Sequence, residues 1–210
     1  MKTKKVLFYF LAALLCGCVP VVSLHPLVSP DTLVFDQHLL GVWADEPETA
    51  WAFERATPAD TDALPDGLDG AGDKVYRLDF RDEEGRKGAF LACLVKLGDN
   101  LFLDVFPRTL PSGDQEAEKT DLPYNTLFFV RAHTFIRVNE ISNQLKMRLT
   151  DDEAFKQLIE AEPNAIESTS VDGNPLVTAS TKALQAFVSK HADDEQLFAN
   201  EIVLTRKSQN

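Results

Sequence analysis

Apolar and polar residues alternate over several short stretches of the chain, a pattern that predicts strands with one buried face. Ala50–Arg55 and Gln144–Thr150 show the alternation cleanly, and Lys74–Arg81 shows it with one slip in phase at Tyr76. Further strands are predicted from apolar and β-branched content over Leu39–Trp43, Lys87–Leu97, Asn100–Phe106, Thr126–Ile141 and Glu201–Arg206. The Thr126–Ile141 stretch is long enough for one bent strand or two.

Turn residues separate these stretches. Gly98-Asp99 predicts a hairpin between the two central strands. Ala56–Asp73 is rich in Asp, Gly and Pro, and Pro107–Asn125 holds three prolines, so both are predicted to be loops, the first of them mobile. Most of the predicted strands therefore follow one another as antiparallel hairpins.

The pattern changes to a helical period after residue 150. Thr150 and Glu153 have the spacing of a capping box, and an apolar stripe at Phe155, Leu158 and Ile159 predicts a helix that Pro163 ends. Thr178 is predicted to cap a second helix with its own apolar stripe, formed by Leu184, Phe187 and Val188. Ile166–Val177 is predicted to be a loop with a turn at Asp172-Gly173.

The order of elements predicts a mainly β fold, a single antiparallel β-barrel with two helices inserted before the last strand. Closure of the sheet is expected because it leaves no strand edge exposed. We find no repeat of fixed period in the sequence, and no pattern in it indicates a second domain.

The first residues have the pattern of an export leader. Lys2, Lys4 and Lys5 precede an unbroken apolar run from Val6 to Cys16. Eleven helical residues span only about 16 Å, too short for a bilayer core of about 30 Å, so a cleaved signal peptide is predicted over residues 1–17. Residues 18–34 hold three prolines and are predicted to be a linker, and residues 35–210 the barrel domain.

The end of the leader, Leu15-Cys16-Gly17-Cys18, resembles the bacterial lipobox, with Cys16 in place of the usual small residue. This resemblance implies cleavage before Cys18 and lipidation of that cysteine. A non-acidic Val19 after it implies the periplasmic face of the outer membrane in a Gram-negative cell envelope. Cys16 would leave with the leader, and Cys93 would then have no disulfide partner.

Gly41-Val42-Trp43 resembles the Gly-x-Trp signature of lipocalins and other calycins, in which the Trp plugs the closed end of an eight-stranded barrel. That resemblance implies that Arg206, on the last strand, packs across the indole of Trp43. Segments at His25–Trp43, Phe102–Pro107 and Val177–Phe198 are similar to uncharacterised bacterial lipoproteins, a likeness that implies no activity. A typical lipocalin places its helix after the eighth strand, so two helices before the last strand depart from the family.

Candidate chemistry is sparse. His25, His38, His133 and His191 are scattered, without metal-ligand spacing, and are predicted to be ordinary surface or helix-end residues; no metal and no cofactor are expected. Cys93 lies in an apolar strand and is predicted to be buried and inert. The basic and His side chains of two neighbouring strands fit either a solvated outer face or a polar lumen that meets an anionic head group; these are Arg131, His133, Arg137, Lys146 and Arg148.

The net charge of the chain excludes one class of partner and leaves two function hypotheses. Net charge is −12, and loss of the leader removes three lysines and no acid, which leaves about −15. Such a domain repels nucleic acid, so no nucleic-acid partner is expected. No enzyme is predicted. Two hypotheses stay open: a membrane-anchored module that binds a lipid or another small apolar ligand in the barrel, and a structural or interaction protein of the envelope with a filled barrel.

Overall fold

The computed structural model describes residues 21–45, 49–108 and 130–207. Within these ranges the chain forms twelve strands and two α-helices, and three short 3-10 helices at Gln37–Leu39, Pro58–Ala63 and Gly72–Lys74. The strands are β1 Val22–Ser23, β2 Leu33–Val34, β3 Gly41–Ala44, β4 Ala50–Arg55, β5 Val75–Arg81, β6 Lys87–Leu97, β7 Asn100–Pro107, β8 His133–Ile141, β9 Gln144–Leu149, β10 Ser168–Val171, β11 Asn174–Val177 and β12 Asn200–Arg206. The α-helices are α1 Asp152–Ala161 and α2 Thr181–Lys190.

Eight of these strands close into an antiparallel barrel. Strands β3 to β9 pair in chain order, and β12 enters between β9 and β3 to complete the ring. Residue pairs at these junctions include Ile136 with Leu149 between β8 and β9, and Trp43 with Arg206 between β3 and β12. The predicted mainly β barrel with two helices before the last strand is confirmed, and the closed eight-stranded ring is compatible with a lipocalin-like fold.

The central hairpin is formed as predicted. Gly98 adopts a positive φ of 60°, and Leu97 pairs with Asn100 across the turn. Glycine tolerates this conformation without the steric penalty of a Cβ atom. The bounds of β4 and β6 also match the predicted strands.

The barrel wall separates two cores, because successive strand residues point to opposite faces. Along β7, Leu103 and Val105 belong to the inner core, whereas Phe102 and Phe106 belong to an outer core. The outer core lies between the barrel wall and a layer formed by both α-helices and by the segment before β3. This second layer explains why β6 and β7 are apolar on both faces.

The segment that precedes the barrel is not a free linker from residue 21 onward. Val21, Leu27 and Val28 are buried, and β1 pairs with both β8 and β11. We call residues 21–34 the N-terminal strap. The predicted linker over residues 18–34 is therefore wrong for the strap, which is part of the folded domain, and residues 18–20 lie outside the described ranges.

Both helices begin later than the sequence predicts. Asp151, not Thr150, caps α1, because its Oδ1 accepts the amide of Ala154 at 2.8 Å. The hydroxyl of Thr150 instead accepts the amide of Val21 in the strap at 3.2 Å. Ser180, not Thr178, caps α2.

Two regions predicted as loops contain regular structure. Residues 166–177 hold the β10–β11 hairpin, which turns at Asp172 and Gly173 with φ values of 50° and 81°. The sequence predicts this turn but not the strands on either side of it. The predicted mobile loop after β4 contains two 3-10 helices and buries Leu68 in the outer core. Most of the predicted loop after β7, residues 109–125, and residues 126–129 of the predicted β8 stretch lie outside the described residues.

Candidate functional site

One end of the barrel is closed by the residues that lead into β3. The 3-10 helix at Gln37–Leu39 brings Leu39 into the inner core beside Trp43, and both side chains are fully buried. The indole Nε1 of Trp43 donates to the carbonyl of Leu39 at 2.8 Å. A buried indole N–H needs such a partner, so this bond fixes the Trp43 ring across the end of the barrel.

Arg206 lies over this ring. Its guanidinium carbon is 4.3 Å from the centroid of Trp43, and Nη1 donates to the carbonyl of Leu40 at 2.6 Å. Nη2 donates to the carbonyl of His38. The sequence resemblance implied the stacking of Arg206 on Trp43, and the two carbonyl bonds add that Arg206 also ties the 3-10 turn to the last strand.

Aromatic residues extend the closed end across the lumen. Phe35 stacks on Tyr76 at 5.0 Å between ring centroids, and the Tyr76 hydroxyl donates to the carbonyl of Asp36 at 3.0 Å. The same hydroxyl accepts the amide of Asp36 at 2.7 Å. Burial raises the pKa of Tyr76 to about 12. This part of the lumen is therefore filled by the chain's own side chains.

The opposite end of the barrel holds an apolar cavity of about 570 Å³. Six consecutive barrel strands, β4 to β9, each contribute apolar side chains to its wall: Trp51, Phe80, Phe90, Val105, Ile136 and Leu149 among them. Val22 of the strap and His133 at the start of β8 complete the wall. The lumen is thus a cup, filled at the Trp43 end and hollow at the other.

Trp51 gives the cavity wall a polar atom without a partner. Its ring packs edge-on against Phe80, with 5.2 Å between centroids. Its Nε1 is buried and has no hydrogen-bond partner among the described residues. An unsatisfied buried N–H costs about 1–3 kcal/mol.

A polar pocket of about 410 Å³ lies on the other side of His133. Its wall combines charged, polar and apolar groups: His25, Asp66, Arg131, His133 and Thr181 with leucine and proline side chains. His133 also lines the apolar cavity, so the two spaces share this residue.

His133 is held by a buried carboxylate. Asp104 is fully buried in the outer core, and its Oδ1 bonds to Nδ1 of His133 at 2.8 Å. Its Oδ2 accepts the amide of Val28 in the strap at 2.9 Å. Asp104 therefore joins β7, β8 and the strap. A buried carboxylate requires such donors, because an unpaired charge in the protein interior is strongly unfavourable.

The pairing of His133 with Asp104 is not among the sequence predictions. The sequence predicts His133 to be an ordinary surface or helix-end residue, and this prediction is wrong because the residue is buried. The signal that could have revealed the pair is Asp104, a single charge within the apolar run Phe102–Phe106. A charge at that place in a buried strand requires a partner elsewhere in the chain.

The predicted alternative of a polar lumen is wrong. Interior positions of β8 and β9 carry Ile136, Val138, Leu145 and Met147. The basic residues between them point outward. Arg137 pairs with Asp193 at 2.8 Å, Lys146 with Glu140 at 2.6 Å, and Arg148 with Glu201 at 3.6 Å.

Cys93 faces the outer core beside Asp104. Burial, and then the neighbouring Asp104 charge, raises the pKa of its thiol well above the ordinary value. A protonated buried thiol is a poor nucleophile. In the described ranges no group of three or more His, Cys, Asp or Glu residues could hold a metal ion.

The predicted lipidation residue, Cys18, lies outside the described residues. Among the helices that the structure describes, none has the length and apolar character needed to cross a membrane. Comparisons of the chain with protein-family models, with curated proteins and with solved structures gave no match.

Proposed function

We propose that this protein is an exported lipoprotein, anchored to the cell envelope by lipid on Cys18, whose barrel binds a small apolar ligand such as a lipid acyl chain. The observation that carries the binding proposal is the apolar cavity of about 570 Å³ at one end of the barrel. Ligand pockets of about 300–1,000 Å³ with mostly apolar walls and few polar groups are typical of small-molecule sites.

The shape of the lumen supports a ligand rather than a filled scaffold. At the Trp43 end, the lumen is occupied by Trp43, Phe53 and Tyr76, all nearly or fully buried. At the opposite end, the lumen is lined by side chains from six strands that leave the apolar cavity between them. The alternative of a structural envelope protein with a filled barrel explains the filled Trp43 end and leaves the cavity at the opposite end unexplained.

The first test is native mass spectrometry of protein purified from the cell envelope. The expected spectrum contains a lipid-sized mass that dissociates on activation. A matched pair of variants locates the site: Val105→Phe places extra volume in the cavity, whereas Val203→Phe makes the same change on an exposed position of β12. We expect V105F to lose the ligand and V203F to keep it. A wild-type protein that carries no ligand and binds no acyl ester in titration would overturn the binding proposal.

A further inference from the structure

His133 lines two spaces of opposite character. On one side is the apolar cavity of the barrel, and on the other is the polar pocket that Arg131, Asp66 and Thr181 help to line. A molecule that fills both must be apolar at one end and polar at the other.

The contacts of His133 determine which ring nitrogen is left for such a molecule. Nδ1 is bonded to the fully buried Asp104 at 2.8 Å. In the part of the chain that the structure describes, Nε2 has no hydrogen-bond partner. A carboxylate on Nδ1 fixes both the ring orientation and the position of its proton, so in the neutral imidazole Nε2 is an acceptor.

We propose that the ligand is a neutral single-chain amphiphile, with its acyl chain in the barrel cavity and a hydroxyl-bearing head in the polar pocket, where it donates to Nε2 of His133. This inference rests on the proposed binding function and adds the chemical class of the head group. A monoacylglycerol has the required form.

The charges around the pocket favour a neutral head. Asp66 lines the pocket, and Asp104 lies directly beneath His133. The whole chain carries a net charge of −12. An anionic head would meet this negative field with only part of its charge opposed by Arg131, whereas hydroxyl groups can donate to Asp66 and Nε2 and accept from Thr181.

The test compares ligands that share one acyl chain and differ in the head. Monolauroylglycerol, methyl laurate and lauroyl lysophosphatidic acid are titrated at concentrations where each is dissolved as single molecules, with tryptophan fluorescence as the readout. Methyl laurate keeps the ester carbonyl and lacks the hydroxyls. We expect monolauroylglycerol to bind about tenfold more tightly than methyl laurate, the effect of one or two hydrogen bonds. The lysophosphatidic acid is expected to bind more weakly than monolauroylglycerol.

Two variants then test the role of His133 itself. Asn in place of His133 can still donate to Asp104 from near the Nδ1 position, but it lacks Nε2. H133N is expected to bind the two neutral ligands within about twofold of each other. His38 offers the control, because its Nδ1 also bonds to a carboxylate, Asp36, at 2.8 Å, but at the closed end of the barrel. H38N should keep the wild-type preference.

The outcomes separate this inference from the proposed function. Equal binding of monolauroylglycerol and methyl laurate to the wild-type protein overturns the head-group site and leaves the cavity function standing. A preference for the lysophosphatidic acid overturns the neutral head, and an unchanged preference in H133N overturns the role of His133. If none of the ligands binds, both proposals fail. Should H133N not fold, Thr181→Val removes a hydroxyl from the same pocket, and retention of the full preference in that variant counts against the site.

Discussion

Arg206 and Trp43 join the last barrel strand to the first through a stacked contact of 4.3 Å. The same guanidinium holds the carbonyl of Leu40 at 2.6 Å, so it also fixes the turn that leads into β3. Gly41 belongs to this arrangement, because a Cβ atom at its position would lie 2.7 Å from Nη1 of Arg206. Gly41, Trp43 and Arg206 therefore form one structural unit, in which each residue requires the others.

Replacing Arg206 is expected to destabilise the barrel. Arg206→Ala removes the cation–π contact, worth about 0.5–2 kcal/mol, and leaves two backbone carbonyls without their charged donor. We expect the free energy of unfolding to fall by about 2 kcal/mol, measured by urea denaturation. Arg206→Lys keeps the charge without the planar fork and should lose about half as much. Arg81→Ala, on an exposed β5 position, is the control, and an R206A variant as stable as R81A would refute the assigned role.

Gly41 should resist substitution for two separable reasons. Its φ of 123° is strained for any residue with a Cβ, and Ala would also approach Arg206. Gly41→Ala is expected to cost about 2–3 kcal/mol, of which backbone strain accounts for about 1–2 kcal/mol. The double variant G41A/R206A isolates the steric part, because the approach is absent there. Gly98→Ala, where φ is 60° and an added Cβ would have no other atom within 4 Å, reports strain alone. If G41A costs no more than G98A, the contact with Arg206 carries no energy.

Stability should fall at alkaline pH through Cys93. Burial raises the pKa of this thiol above its ordinary value of 9.0, so the folded state keeps the proton that the unfolded chain loses. The stabilisation is complete below pH 9 and decreases as pH rises above it, by up to about 1.4 kcal/mol per pH unit while the folded thiol stays protonated.

Cys93→Ala supplies the measurement for this prediction. Its free energy of unfolding should decline less steeply than that of the wild type above about pH 9, whatever its stability at neutral pH. Tyr76, whose pKa is raised to about 12 from 10.0, gives a second decline that begins near pH 10 and persists in C93A. Parallel curves for the wild type and C93A in this alkaline range would show that the thiol ionises equally in both states.

Much of the barrel is predictable because its signals are local. Period-two alternation in β4 and the glycine at Gly98 act within a few residues, and the structure agrees with both. The Gly-x-Trp motif likewise placed Trp43 on the first barrel strand, because that resemblance depends on neighbouring residues.

What the sequence failed to predict depends on contacts between distant residues. Thr150 satisfies the local rule for a cap, yet its hydroxyl bonds to Val21, which is 129 residues away. The strap contains Pro26 and Pro30, a composition typical of linkers, and its burial follows from Asp104 and the outer core, which no short window contains. The cavity is the same kind of property, since its wall comes from six strands.

The proposed lipid on Cys18 would bring the barrel close to a membrane. Val21 is buried and its amide bonds to Thr150 at 3.2 Å, so only two residues of chain lie between this fixed point of the fold and Cys18, a reach of at most about 11 Å. Val22, the next residue, lines the apolar cavity.

We expect intact-mass measurement of envelope protein to give a chain that begins at Cys18 and carries acyl groups, because a two- or three-chain modification is what stable anchoring needs. Cys18→Ala should lose the added mass and fail to be processed at this site. Cys16→Ala is the matched control, because that residue would leave with the leader, and it should remain acylated and membrane-bound. An unmodified Cys18 in membrane-bound wild-type protein would refute the anchor and leave the barrel's binding properties to be judged on their own tests.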